Sequence, residues 1–330
     1  MPPFIFFHKS MLQNQTLENW SLQFKKSVTN AEKILLVAHK NPDGDTIGSA
    51  TALFEIFQSF GKRCQIFCVD DFPADFGFLP HTENVLRDFQ PCAFDLVVVV
   101  DCGAPHMTGV DNFLSSCKTP VLNIDHHASN ESFGTFNLVD SVAASATLLI
   151  TELLRFLQVK ISPTVATCLL CGICTDTGSF CHSNTDPRTL RAAGFLMRCG
   201  ADLQSISKNI FRTHSLGKLK LWGRVLSRAE KNSQGFVVSS VFQKDLQETG
   251  SNSAELSGVI DFLNSVPDSD FSLLLTENEG KVKASFRTMK QEVDVAMLAS
   301  RFGGGGHKKA AGFSTPGRLV KEVRWKIVQE

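Results

Sequence analysis

Short, unbroken apolar runs mark the first part of the chain: KILLVA (33–38), RCQIFCV (63–69), FDLVVVVD (94–101) and PVLNID (120–125). They are rich in β-branched residues and bounded by Gly, Pro or Asp, the pattern of strands buried on both faces. Between the first two, TIGSATALFEIFQSF (46–60) sets apolar residues at helical spacing, and 143–157 and 163–174 also read as helices. Strands alternating with helices predict a parallel sheet covered on both sides. From Asp186 to Lys231 the pattern is helical with no clear strand. After Gly235 it changes. FVVSSV (236–241), FSLLLTE (271–277) and KVKASFR (281–287) predict strands, the last two joined by a hairpin-like turn at Asn278-Glu279-Gly280. Helices are expected over 253–264 and 293–302. The expected fold class is α/β with two domains. A tail covers 1–18, a Rossmann-like parallel-sheet domain 19–185, a helical linker 186–231, and a smaller α/β domain 232–330.

Composition narrows the partners. The chain has 330 residues, enough for about two domains, and 43% are hydrophobic, which argues against disorder. Lys plus Arg and Asp plus Glu number 33 each, so the net charge is zero. A protein that coats long duplex DNA is usually basic; neutrality favours a short or small substrate. No apolar run reaches the roughly 20 residues of a membrane span. Pro2-Pro3-Phe4-Ile5-Phe6-Phe7 is too short for a signal-peptide core and lacks a basic start. The ten cysteines show no disulfide framework. A cytoplasmic, reducing setting without a membrane is therefore expected. Cys168, Cys171 and Cys174 mimic iron–sulfur spacing, but they lie on an apolar helix, where cysteine acts as a small hydrophobe.

Candidate chemistry lies where the buried runs end. In open parallel sheets, ligands bind beyond the carboxyl ends of the strands. The first run delivers His39, Asp43 and Asp45; Leu96–Val100 ends in Asp101; VLNI ends in Asp125-His126-His127; the helix from Pro163 ends in Thr175-Asp176-Thr177-Gly178. A single Asp after a strand is usually a turn residue or a helix cap. Four carboxylates converging on one pocket, Asp43, Asp45, Asp101 and Asp176, would repel unless protonated or neutralised. Two divalent cations cancel that charge. Oxygen donors with some imidazole suit Mn²⁺ well and Mg²⁺ acceptably, and Zn²⁺ or Fe²⁺ less clearly. Such a metal pair clamps a phosphoryl group during in-line displacement, so the residues point to a two-metal phosphoesterase.

The same residues resemble the DHH phosphoesterases, named for the triplet seen here at Asp125-His126-His127. The first family motif appears as His39-x-x-Pro42-Asp43-x-Asp45-x-x-Gly48-Ser49, the second as VVVDCG with Asp101, and the fourth as TDTGSF with Asp176. SFR (285–287) and FGGGGHKKAAGF (302–313) match the DHH-associated substrate domain. Within the family the chain is similar to the NrnA-like group, which degrades very short RNA ("nanoRNA") and often dephosphorylates 3'-phosphoadenosine 5'-phosphate. The resemblance implies one Mn²⁺ on His39, Asp43 and Asp101 and a second on Asp45, Asp101, His126 and Asp176. It implies that His127 touches the scissile phosphate or assists the leaving oxygen, and that Asp125 orients a histidine. One departure is Cys181-His182, where a basic–aromatic pair is expected; it bears on substrate contacts.

In the second domain, Gly303, Gly304, Gly305 and Gly306 let backbone approach a ligand closely and aim N–H groups at an anion. Arg287 offers a planar fork suited to phosphate. The resemblance places Arg287, the glycines and His307 at the nucleotide held opposite the metals. A substrate gripped in an interdomain cleft has limited reach, and the resemblance implies a preference for about two to five nucleotides, consistent with anchored binding. A homodimer is compatible with this reading. Three rivals stand beside it: a cyclic or linear dinucleotide phosphodiesterase, a RecJ-like single-strand DNA exonuclease, and a catalytically silent nucleotide-binding regulator. RecJ-like proteins usually carry further nucleic-acid-binding domains, and a silent regulator predicts a broken ligand set.

Overall fold

The computed structural model describes residues 11–89, 93–212, 214–256 and 258–322. The chain divides into two compact units, 1–213 and 214–330. In the first, helix α1 (Met11–Asn30) precedes β1 (Lys33–Val37), α2 (Gly44–Ser59), β2 (Arg63–Phe67), β3 (Val85–Leu86), β4 (Leu96–Val100), α3 (Asp111–Ser116), β5 (Val121–Asp125) and β6 (Phe136–Val139). Helices α4 (Ala146–Phe156), α5 (Pro163–Asp176), α6 (Pro187–Arg198) and α7 (Leu203–Ile206) follow. The six strands lie in the order β3-β2-β1-β4-β5-β6, and every pairing is parallel. This bears out the expected α/β class.

The runs read as doubly buried strands are so. Ile34 to Val37, Val97 to Val100, Leu122 and Ile124 have no exposed surface. Each such side chain contributes about 1.5–3 kcal/mol of burial. Sheet order runs outward from β1 in one direction and from β4 in the other. The strand order therefore reverses between these two neighbours, the place where open α/β sheets bind ligands beyond their carboxyl ends. Helices start where capping residues stand. Asp43 caps α2, Ser145 caps α4, Ser162 precedes Pro163 at the start of α5, and Asp186 precedes Pro187 at the start of α6. Helices α2 and α5 cross at close range. A methyl on Gly48 would sit 2.4 Å from the Cys168 carbonyl, and one on Gly172 would sit 2.6 Å from Asp45 Oδ1. These glycines let α5 pass directly behind the carboxylate of Asp45.

The second unit contains α8 (Leu216–Ser227), β7 (Glu230–Lys231), β8 (Val237–Val241), α9 (Gln243–Thr249), α10 (Val259–Asn264), β9 (Ser272–Asn278), β10 (Lys281–Arg287), α11 (Val295–Ser300), β11 (Gly305–His307) and β12 (Ala310–Pro316). Its sheet order is β11-β12-β10-β9-β8-β7. Pairing is antiparallel except between β8 and β9.

The expected helix over 253–264 is a 3-10 turn at Ser253–Leu256 followed by α10, and two longer segments also differ from expectation. Met11–Asn30 is helical, so a helix takes in part of the segment expected as a tail, while residues 1–10 lie outside the described residues. The segment 186–231, expected as a separate linker, is divided at 213/214. Helix α6 buries Ala192 and Leu196 in the core of the first unit, and α8 buries Leu221 and Val225 in that of the second. Each helix has an apolar stripe, and a stripe is stable only against a core. Among the described residues no helix is long and apolar enough to cross a membrane.

Candidate metal centre

His39 leaves β1 and Asp101 leaves β4, one on each side of the point where strand order reverses. The His39 Nε2 to Asp101 Oδ2 distance is 3.4 Å. Asp101 sits at φ 54°, a left-handed conformation that turns its side chain back over the strand ends; Asp tolerates this better than most residues. Asp43 and Asp45 open α2. Asp43 Oδ1 accepts from the backbone N–H groups of Asp45 (3.0 Å) and Thr46 (3.1 Å), so a candidate ligand is also the helix cap. Asp125, His126 and His127 follow from β5, and Asp176 ends α5. Eight residues predicted from strand and helix ends thus meet at one edge of one sheet. His126 Nε2 lies 3.2 Å from Asp176 Oδ2, 3.4 Å from Asp101 Oδ1 and 3.9 Å from Asp45 Oδ2.

Second partners fix which ring nitrogen faces the cluster. His39 Nδ1 donates to the Lys40 carbonyl at 2.7 Å, and His126 Nδ1 donates to the Ala143 carbonyl at 3.3 Å. In both rings this leaves Nε2 turned toward the carboxylates, as metal-binding histidines require. His127 Nδ1 donates instead to Asp125 Oδ1 at 2.8 Å. Asp125 is fully buried, and its other oxygen accepts from Asn130 Nδ2 at 2.6 Å. The His127 side chain is 38% exposed, and Nδ1 is the nitrogen committed to Asp125.

Electrostatics show a cluster that lacks enough positive charge of its own. Burial, then the charges of Asp101 and Asp176, pushes Asp45 well above the usual carboxylate range. Asp43 is exposed to solvent, yet desolvation on its cluster side and the same two charges raise it to about 6. Burial also raises Asp176. Burial would raise Asp101 too, but the imidazoles of His126 and His39 beside it outweigh it and hold Asp101 below the ordinary range. The histidines respond in kind. Burial alone would lower His39, and Asp101 carries it up to about 9; burial would lower His126, and Asp101 and Asp176 carry it up to about 12. Asp101 Oδ1 is buried and accepts no hydrogen bond. An orphaned carboxylate oxygen facing imidazole Nε2 atoms fits a bound cation. Donor atoms within 4.8 Å of one another form the trios His39/Asp43/Asp101, Asp45/His126/Asp176 and Asp101/His126/His127. The first two share no residue, and Asp101 of the first lies 3.4 Å from His126 of the second. The donor set fits a pair of divalent cations.

The DHH family N-terminal domain model matches residues 33–173, and the DHHA1 domain model matches 233–330. The bifunctional oligoribonuclease and PAP phosphatase NrnA of Thermus thermophilus is 32% identical over 299 residues, covering 90% of this chain and 88% of that protein. This chain belongs to the DHH family. The cyclic-di-AMP phosphodiesterase GdpP of Geobacillus thermodenitrificans is 27% identical, covering 86% of this chain and 44% of GdpP. Among solved structures, an exopolyphosphatase-related protein from Bacteroides fragilis superposes with a TM-score of 0.84 at 24% identity, covering 94% of this chain and 92% of that one. That likeness shows the fold.

In the DHHA1 region, Arg287 ends β10 and pairs with Ala310, and Ala310 pairs with His307. Arg287 and His307 therefore share one register line across three strands. The side chain of His307 lies outside the described residues. Arg287 Nη1 donates to the carbonyl of its neighbour Phe286 at 3.0 Å. The four glycines are not equivalent. A methyl on Gly304 would sit 2.2 Å from the Gly312 carbonyl, one on Gly306 would sit 2.5 Å from the Ala310 carbonyl, and Gly303 has φ 74°. Packing against β12 and backbone conformation account for these three. Only Gly305 of the four has a normal φ and open space where a side chain would go.

Several DHH-domain residues escaped the sequence reading. Thr46 Oγ1 donates to Asp101 Oδ2 at 2.7 Å. Asp45 is held by the first turn of α4: Ala146 N–H reaches Oδ2 at 2.6 Å, and Thr147 N–H and Oγ1 reach Oδ1 at 3.0 and 2.6 Å. Thr46 stood inside a motif and was legible in principle. The partners of Asp45 lie 101 and 102 positions away and carried no signal.

Proposed function

We propose that this chain is a phosphoesterase that uses two Mn²⁺ ions to hydrolyse very short RNA oligonucleotides to mononucleotides, and 3'-phosphoadenosine 5'-phosphate to AMP. The observation that carries this is the pair of separate donor trios, joined through Asp101 of the first and His126 of the second, at the strand ends where the strand order reverses. His39, Asp43 and Asp101 would hold one ion; Asp45, Asp101, His126 and Asp176 the other. Bound there, divalent ions supply Lewis acidity toward the phosphoryl oxygens and activate the attacking water.

The chain's own residues do the rest. His127 is oriented by buried Asp125, whose hydrogen bond raises the pKa of the ring and favours the protonated form. With Nδ1 committed to Asp125, its Nε2–H contacts the scissile phosphate and gives its proton to the leaving oxygen as the P–O bond breaks. Arg287, Gly305 and His307 take the far nucleotide, with the guanidinium on its phosphate. The similarity to NrnA of Thermus thermophilus over nearly the whole chain supports this substrate class. The described cysteines are free thiols, which supports a cytoplasmic setting.

A second reading keeps the chemistry and changes the substrate to a cyclic or linear dinucleotide, and the similarity to GdpP favours it. One assay separates the two. Turnover of di- to pentaribonucleotides, 3'-phosphoadenosine 5'-phosphate, a cyclic dinucleotide and a long single strand is compared with Mn²⁺ at equal concentrations. Preference for the short linear RNA supports the proposal. Preference for the cyclic dinucleotide moves it to the second reading, and activity that rises with strand length discards both.

A further inference from the structure

We propose that Arg188 is a positioning residue for one of the two candidate metal positions, that of Asp45, His126 and Asp176, and leaves the other alone; this rests on the reading of the two trios as metal sites. Arg188 stands in the first turn of α6. Its Nε and Nη2 donate to Glu152 Oε1 (2.8 Å) and Oε2 (2.6 Å), and its Nη1 donates to Asp140 Oδ2 (2.7 Å). Glu152 belongs to α4, and Asp140 follows β6 directly. One guanidinium thus pins the loop 140–145 to the helix that this loop begins. The planar fork fixes direction as well as distance.

The pinned loop reaches every member of one trio. Asp140 is turned inward on itself: Oδ1 accepts from Val142 N–H and its carbonyl accepts from Ala143 N–H, each at 3.0 Å. The Ala143 carbonyl accepts from His126 Nδ1, which sets the tautomer of that ring. The Ala144 carbonyl accepts from Asn184 Nδ2 at 3.3 Å, and the same amide donates to the Asp176 carbonyl at 3.2 Å. Ala146 and Thr147 then bind both oxygens of Asp45. Loosening Asp140 would move the Ala143 carbonyl, the Ala144 carbonyl and the start of α4 together.

The other trio is built from different parts. His39 is oriented by the Lys40 carbonyl, Asp43 by the N–H groups of its own helix, and Asp101 by Thr46. None of these partners lies in the loop or touches Arg188. A role confined to general stability would weaken both positions alike or neither. The clamp predicts a selective loss, because partners that orient ligands commonly govern about 10- to 100-fold in metal affinity.

The test is a calorimetric titration of Mn²⁺ into the metal-stripped full-length chain. Wild type is expected to show two binding steps. R188K, which keeps the charge and loses the fork, is expected to weaken one step by about 10- to 100-fold and leave the other unchanged. N184A removes the link between Ala144 and Asp176 from an exposed position and is expected to weaken the same step. D43N is expected to weaken the opposite step. Thermal melts accompany each variant, and if R188K fails to fold, D140N, which keeps the oxygen that holds Val142 N–H and loses the charged partner of Arg188, decides by the same selective loss. Two steps at wild-type affinity in R188K and N184A, or equal weakening of both steps, would overturn the clamp while leaving the metal reading intact. Absence of any Mn²⁺ binding by the folded wild type overturns the metal reading, and the clamp with it.

Discussion

The two units both carry six-stranded sheets and use them in opposite ways. In the first, all strands are parallel, the central ones are buried on both faces, and the candidate metal ligands stand where strands and helices end. In the second, most pairings are antiparallel, burial alternates along β8, β9 and β10, and Arg287 sits within the sheet itself. The difference lies in how firmly each candidate site is specified. Side chains of the first unit are held by α2, α4, α5 and both strand ends, so several independent contacts agree on each position. Arg287 of the second stands at the end of an interior strand, and its side chain bonds only to the neighbouring Phe286 carbonyl among the described contacts. Chemistry that needs charges placed to a fraction of an ångström suits the first arrangement. Binding of a flexible substrate end tolerates the second.

The sharpest break of this comparison is Asp101→Asn. Asparagine accepts the same left-handed backbone, so the fold should survive. Hydrolysis of a diribonucleotide should fall by about 10³-fold, the scale of losing one charge-stabilising group. Single-turnover kinetics with a melting curve would check both halves, and residual activity near wild type would remove Asp101 from its central place.

In the second unit the comparable carboxylate is structural. Asp245 is buried and accepts from Arg224 Nη1 at 3.0 Å, from both Nη groups of Arg228, and from Phe242 N–H at 2.9 Å. Asp245→Asn should cost about 2 kcal/mol, between the values for exposed and buried pairs, because both arginines are about one-third exposed. Burial would raise the pKa of Asp245, but Arg228, the Phe242 N–H and Arg224 bring it down to about 2 from 3.8. A depressed folded pKa means the carboxylate's stabilisation is complete above about pH 4 and is lost as pH falls toward 2. Chemical denaturation across that range should show a slope in wild type that Asp245→Asn flattens, with little effect on the first unit.

Arg287→Ala tests the binding side. It should raise KM about 10-fold, the lower end for a charge-assisted hydrogen bond, with kcat mostly kept. A fall in kcat of equal size would place Arg287 in the chemistry and erase the contrast between the units. The mildest test compares glycines. Gly48→Ala should destabilise the first unit by about 1–3 kcal/mol through overpacking at the Cys168 carbonyl. Gly305→Ala meets open space and should shift stability by no more than about 0.5 kcal/mol, measured by urea melts.

Much of the fold was legible. Strands β1, β2, β4 and β5 and helices α2, α4 and α5 follow from unbroken apolar runs and helical spacing. Strands β3 and β6 were not read, because two or four residues carry no usable period. Strands β11 and β12 were not read, because the glycine run there pointed to close approach of backbone to a ligand rather than to a strand. The segment 186–231 looked uniform because its helices share one type of pattern, while the division between units is a matter of which core each stripe meets.

Local order along the chain was enough to establish the strand and helix alternation, the family, and the list of acids and imidazoles at element ends. Each of these depends on residues near one another in sequence. Folding in three dimensions decided how that list is sorted. It set Asp45 against the first turn of α4, gave each histidine a carbonyl or carboxylate that selects its free nitrogen, and left one oxygen of Asp101 without a donor. Such facts depend on which distant backbone groups arrive within about 3 Å, a distance that hydrogen bonds demand and that no pattern of neighbours along the chain encodes.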